Sequence, residues 1–186
     1  MNKEIAAWEK ELNEITRLFK TSFGHLSPEE LNRKPNPQTW SIAENIQHII
    51  KINESYYPVV RDFRNNRLKL PFISNFSFFT NLIGNSILKS VSPDRKKKIK
   101  TFPLWEPDAS KIKGNILEQF EKHQKELIAF MKSCEDLLNR ETIISSPANK
   151  MVVYKLEKAF EIMVTHEKRH YNQALEVLSP QAAPVS

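Results

Sequence analysis

The chain has 186 residues and a net charge of +6, a length that suits one domain able to close a core of its own. Three glycines against eleven prolines leave too few turn glycines for an all-β sandwich. A single cysteine, Cys134, excludes an internal disulfide or a cysteine-rich metal cluster, so a metal site here must rest on histidines and carboxylates.

Residues 3–22 place Ile5, Trp8, Leu12, Ile15 and Phe19 at alternating steps of three and four, which predicts one buried helix stripe. After Gly24, the segment SPEEL carries Ser27, Pro28 and Glu30, the signature of a capped helical turn before the proline-bearing loop NRKPNPQ. Ser41 and Glu44 form a second S-x-x-E box. It opens a helix whose rhythm continues through Ile42, Ile46, Ile49, Asn53, Tyr56 and Val60, with Pro58 expected to kink or shorten it.

Residues 67–110 break this pattern and read as a long crossover with one or two short helices. Its phenylalanines are candidates to line a pocket or simply to pack the insertion down. The run Arg95, Lys96, Lys97 and Lys98, with Lys100 just after, reads as a solvated loop rather than a nucleic-acid face, because it has neither aromatic interleaving nor a known motif. The third helix is expected from about Ser110 to Leu138, with Ile116, Phe120, His123, Leu127, Phe130, Cys134 and Leu137 in four-three alternation. Beyond the loop NRETIISSPANK, the fourth should span about 152–178. Its seam of Val153, Leu156, Phe160 and Met163 turns polar at Glu167 and His170 before Ala174 and Val177.

The expected fold is therefore all-α: a four-helix bundle with a long crossover between helices 2 and 3, forming one domain over residues 1–179, with 180–186 as a disordered tail. The start, MNKEIAAWEK, lacks the order of a signal peptide and no apolar run reaches membrane-spanning length, so a cytoplasmic protein without a membrane partner is expected.

A polar pair on a buried seam costs stability unless its groups are hydrogen-bonded or bound to metal. The pair belongs to THEKRH, an H-E-x-x-H that sets His166 and His170 one helical turn apart, as two imidazoles sharing an ion require. A zinc protease would use Glu167 as general base and needs a third ligand downstream. The metzincin pattern wants Gly and His where this chain has Gln173 and Glu176, so the protease reading fails. An upstream ligand must come from His25, His48 or His123. Periodicity does not choose between His48 and His123, since His48 lies off the main stripe, on a face with Ser41, Ile52 and Val59, where a solvent-facing side chain fits as well as a ligand.

The stretch WSIAENIQH, ending eight residues after Trp40 at His48, together with HEKRHYNQ, resembles the motifs of the DinB-like (YfiT-like) metal-binding four-helix bundles. The resemblance spans nearly the whole chain in motif order, though its specific content is these two short motifs. It implies a divalent metal, zinc, nickel, iron or manganese, on His48, His166 and His170. Arg169 and Gln173 match the R-H-x-x-Q form of the second motif; Asn172 stands where a glycine is common. Glu44 and Glu167 then become candidates to orient the ligands, with Glu167 also a candidate general base; the competing readings are that Glu44 only completes its capping box and that Glu167 pairs with Arg or Lys on the surface. His25 and His123 are read as ordinary surface and core-edge histidines. Three neutral imidazoles leave a coordination position open, as in catalytic zinc sites.

By this resemblance the activity is that of a metal-dependent S-transferase using a low-molecular-weight thiol such as bacillithiol, or of a hydrolase, acting on a small molecule, with a homodimer as the expected assembly. A non-catalytic, stress-related helical interaction module is the alternative. Nucleic-acid binding ranks last.

Overall fold

The computed structural model describes residues 2–94, 101–108, 112 and 114–178. The basic run, the expected start of the third helix at Ser110 and the tail at 180–186 lie outside the described residues. Seven helices and one two-stranded hairpin occur among them. The four long helices are α1 (Lys3–Phe23), α3 (Ile42–Arg64), α5 (Ile116–Ser133) and α7 (Leu156–Leu178). The short ones are α2 (Pro28–Asn32), α4 (Ser77–Ser90) and α6 (Glu135–Asn139).

Local sequence accounts for the helix starts. Ser27 and Ser41 each accept from the backbone N–H three residues on, and Glu30 and Glu44 reach back to the cap N–H, so both expected capping boxes form. Glu44 also takes Lys34 at 3.0 Å, so its carboxylate is engaged in the cap and not at the histidines. Asn2 caps α1 and Asn115 caps α5. Just before it, Gly114 at φ +75° occupies the left-handed region, a break that starts α5 at Ile116. Helix α3 runs through Pro58 to Arg64 without being shortened.

Around the bundle the neighbours run α1, α5, α3, α7, so the consecutive long helices α1 and α3 face each other across a diagonal, as do α5 and α7. The link through α2 therefore crosses one end of the bundle. The stripe of α1 is buried as expected and meets the other helices through aromatic edges, Trp8 on Phe160 at 5.6 Å and Phe19 on Phe120 at 4.8 Å.

Two boundaries differ from expectation. The third helix ends at Ser133, and α6 follows it after Cys134. The loop before α7 contains β1 (Ile143–Ser145), paired antiparallel with β2 (Val153–Lys155) in the register Ile144 to Tyr154. Val153 is thus a strand residue, and α7 starts at Leu156. The β-branched pairs around SSPANK account for the hairpin, whose two strands are too short for periodicity to reveal.

The crossover folds back onto this hairpin. Helix α4 packs against β2 and α7, and Gly84 lets it come close: a Cβ there would lie 2.7 Å from Lys158 Cγ and 3.3 Å from Tyr154 Cβ. Phe72, Phe76, Phe78 and Phe79 are exposed, contact one another edge to face, and are not among the residues lining the histidine cavity. The pocket-lining aromatics of the crossover are Phe102 and Trp105. No helix among the described residues is long and apolar enough to cross a membrane.

Candidate metal centre

Helix α3 buries two faces because it touches both α5 and α7. Ile42, Ile46, Ile49 and Asn53 form one. Asn45, His48, Ile52 and Tyr56 form the other, at spacings of three, four and four, and all are buried. This second face explains why His48 lies off the main stripe: it looks toward α7.

There it meets His166 and His170. One ring nitrogen from each of His48, His166 and His170 lies within 4.8 Å of the others, and Nε2 of His166 faces Nε2 of His170 at 2.9 Å. Three nitrogens around one zinc ion at bond lengths near 2.0–2.1 Å would stand about 3.3 Å apart, inside that range. His123, the competing candidate, lies elsewhere in the core.

Acceptors on the outer side of two rings fix which nitrogen faces inward. His48 Nδ1 donates to the carbonyl of Trp105 at 2.6 Å, and His170 Nδ1 donates to Asn45 Oδ1 at 2.8 Å. Asn45 is itself held by its amide, which donates to the carbonyl of Ser41. With Nδ1 carrying the proton on both rings, both Nε2 lone pairs point at the shared space, as metal-bound imidazoles require. Among the described residues His166 Nδ1 has no hydrogen-bond partner, so none of them opposes the same arrangement in the third ring. Burial pushes the His48 imidazole down to about 4 and holds those of His166 and His170 well below the usual histidine range. All three are neutral at pH 7. The donor set therefore fits a divalent cation of the zinc, nickel, iron or manganese type.

Trp40 roofs the cluster, stacked on His170 with ring centroids 5.9 Å apart and tilted against His48 at 4.7 Å. Arg169 is buried beside them and donates through Nη1 to the carbonyls of Ser90 and Ser92, each at 3.2 Å. A cation at the carboxyl end of α4 complements the helix dipole and ties the crossover to α7.

Glu167 points the other way. Its fully buried carboxylate accepts from Asn53 Nδ2 at 2.8 Å and Gln124 Nε2 at 2.7 Å, and it does not line the cavity beside the histidines. Burial pushes it up to about 8, offset in part by those two amide donors. The structure thus places Glu167 in the bundle core, away from the cavity beside the histidines. The orienting partners are Asn45 and the carbonyl of Trp105, which the motifs did not single out. His25 is exposed, as expected; His123 is buried deeper than a core-edge position, with Nε2 taking Asn53 Nδ2 at 3.2 Å.

The cluster opens onto a cavity of about 640 Å³, in the range of small-molecule sites. Its walls come from α3, α7, the end of α4, the turn at Phe102–Trp105 and the hairpin.

Comparisons with known proteins agree with this architecture. The sequence model of the DinB superfamily matches residues 11–174. No curated protein matches the chain at a significant level. Among solved structures, the chain is similar to YfiT from Bacillus subtilis, described as a probable metal-dependent hydrolase with an unusual four-helix bundle topology. The TM-score is 0.54 at 14% identity, covering 95% of this chain and 87% of that one. At that identity the likeness establishes the four-helix-bundle fold.

Proposed function

The chain belongs to the DinB superfamily, and we propose that it is a metal-dependent enzyme that joins a small electrophilic molecule to a nucleophile at His48, His166 and His170. The observation that carries this reading is the convergence of three neutral imidazoles, two of them aimed by protein acceptors, at the floor of a ligand-sized cavity. A divalent ion held there would lower the pKa of a water or thiol beside it and leave a position open for substrate.

A low-molecular-weight thiol, such as bacillithiol, is the nucleophile these residues suit better. No buried carboxylate lines the cavity among the described residues; Glu106 and Glu176 sit exposed at its rim, and Glu167 faces the core. Water needs a strong base or a large shift to ionise at neutral pH, whereas a thiol near 8.5 needs only a small one. In the transfer, the thiolate sulfur bonds to the electrophilic carbon and the leaving group departs with its electron pair. His48, His166 and His170 hold their positions throughout, and Trp40 shields the reacting groups from solvent. Hydrolysis is the second reading, favoured by the likeness to YfiT.

Elemental mass spectrometry of the wild type beside His48→Ala and His170→Ala tests the centre. About one divalent metal per chain, lost in both variants, is the expected result; no metal in the wild type after incubation with zinc, nickel and manganese would remove the reading. With metal present, thiol consumption matching the electrophile one for one identifies the transferase. Turnover without thiol identifies the hydrolase.

A further inference from the structure

The cavity has two poles. At one lie Asn45, His48 and His170; at the other, Tyr56 Oη is 2.7 Å from Tyr154 Oη, both rings buried. Asn45 meets His170, whereas Tyr56 meets Tyr154 just before α7 begins, so α3 and α7 run antiparallel and line the cavity along its length. His48 and Tyr56 are eight residues apart on α3, which separates the poles by about 12 Å at 1.5 Å per residue. Between them the buried floor is Ile52 from α3 and Ile162 from α7, with Ile87 and Trp105 of the crossover over it.

Charge is distributed unevenly along this track. The carboxylates that line the cavity, Glu106 and Glu176, are exposed at the rim, and Arg169, the cation of the wall, is on the turn of α7 that carries His170. The tyrosine pole offers hydroxyl groups, which burial keeps in their neutral form. Among the described lining residues no cation stands at that pole, so a carboxylate delivered there would be desolvated without compensation from them, at a large cost. A carbonyl, an ester or a plain hydrocarbon end would meet no such penalty.

We propose that the substrate is an uncharged, elongated and largely apolar molecule, with its reactive polar group at the histidines and its far end at the Tyr56–Tyr154 pair. This rests on the metal-centre reading above and deepens it: a thiol reaches the metal pole past the polar rim, and the apolar track holds the electrophile.

Hydroxamates supply a probe, since their head group binds divalent metal while the tail is chosen freely. Zinc-loaded wild type is titrated calorimetrically with acetohydroxamate, with octanohydroxamate, and with an eight-carbon hydroxamate ending in a carboxylate. Each methylene taken from water is worth roughly a fourfold gain, so octanohydroxamate is expected to bind at least 100-fold tighter than acetohydroxamate. The carboxylate-ended chain should fall at least tenfold below octanohydroxamate. Ile162→Trp, which narrows the track, should abolish the chain-length gain; the ligand series on the wild type decides the matter even if that variant does not fold. Equal affinity for the short and long chains overturns the proposed substrate class while the metal centre stands. Binding of neither, with no zinc retained by the protein, removes the metal reading and this inference with it.

Discussion

Asn45 Oδ1 stands 2.8 Å from His170 Nδ1, and the same amide donates to the carbonyl of Ser41 at the start of α3. One side chain thus anchors His170 on α7 to the capped end of α3. Partners of this kind are worth 10- to 100-fold in metal affinity. Asn45→Leu is expected to weaken zinc binding by about that factor in a competition titration with a chromophoric chelator. Asn45→Asp keeps the acceptor but loses the donor to Ser41, so it should hold zinc near wild-type affinity while melting earlier. Equal affinity for wild type and Asn45→Leu would show that His170 needs no orienting partner.

Chelation separates the role of the metal in folding from its role in chemistry. The three histidines come from α3 and α7, so an ion held by them at 100 times its Kd would stabilise the folded state by about 2.7 kcal/mol. In a domain of this size that corresponds to roughly 5–10 °C in Tm. Wild type loaded with zinc should lose about this much on dialysis against chelator. His170→Ala should melt at one temperature in both buffers.

Glu167 provides the test between a catalytic and a structural glutamate. Asn53 and Gln124 both donate to it, while Asn53 Oδ1 and Gln124 Oε1 have no partner among the described residues. In Glu167→Gln either amide can rotate to present that oxygen, so the variant is expected within about 1 kcal/mol of wild type in urea unfolding, with metal content unchanged. Glu167→Ala removes the short acceptor of both buried amides, leaving Asn53 only His123 Nε2 at 3.2 Å and Gln124 only the carbonyl of Leu12 at 3.5 Å, and should lose roughly 2–5 kcal/mol. A Glu167→Gln protein that is stable and metal-loaded but inactive would return the residue to catalysis.

Acid should destabilise the metal-free protein, with His123 contributing. Its imidazole is 3% exposed, and burial pushes it down to about 4, below the 6.5 of the unfolded chain. The unfolded state therefore takes up the proton first as pH falls. The His123 contribution is complete above pH 6.5 and is lost progressively down to about pH 4, amounting to about 2 kcal/mol by pH 5. The facing groups are Asn53 and, 3.8 Å from Nδ1, the carboxylate of Glu54. Urea midpoints at pH 7.5 and pH 5 should differ less in His123→Gln than in wild type; parallel pH dependence in the two proteins would exclude His123 as a source.

Much of the bundle is legible along the chain because its causes are local. Three-four spacing places the stripes of α1, α3, α5 and α7; Ser27, Glu30, Ser41 and Glu44 start two helices; and His166 and His170 share a helical turn by covalent spacing alone. The hairpin is not legible, since three-residue strands carry too little periodicity, and Val153 fits a helix seam equally well until Ile143–Ser145 pairs beside it. The direction of Glu167 was likewise open. A residue adjacent to a ligand on a helix points about 100° away from it, and only the packing of α7 against α1 and α3 decides that this direction is the core. The third histidine shows the same division. Asn45, His48, Ile52 and Tyr56 carry a second face in their spacing, but a buried face does not name its neighbour. That His48 joins the histidines of α7 while His123 pairs with Asn53 of α3 follows from the order α1, α5, α3, α7 around the bundle. Long-range packing of four helices and a crossover sets that order, and no single helix encodes it.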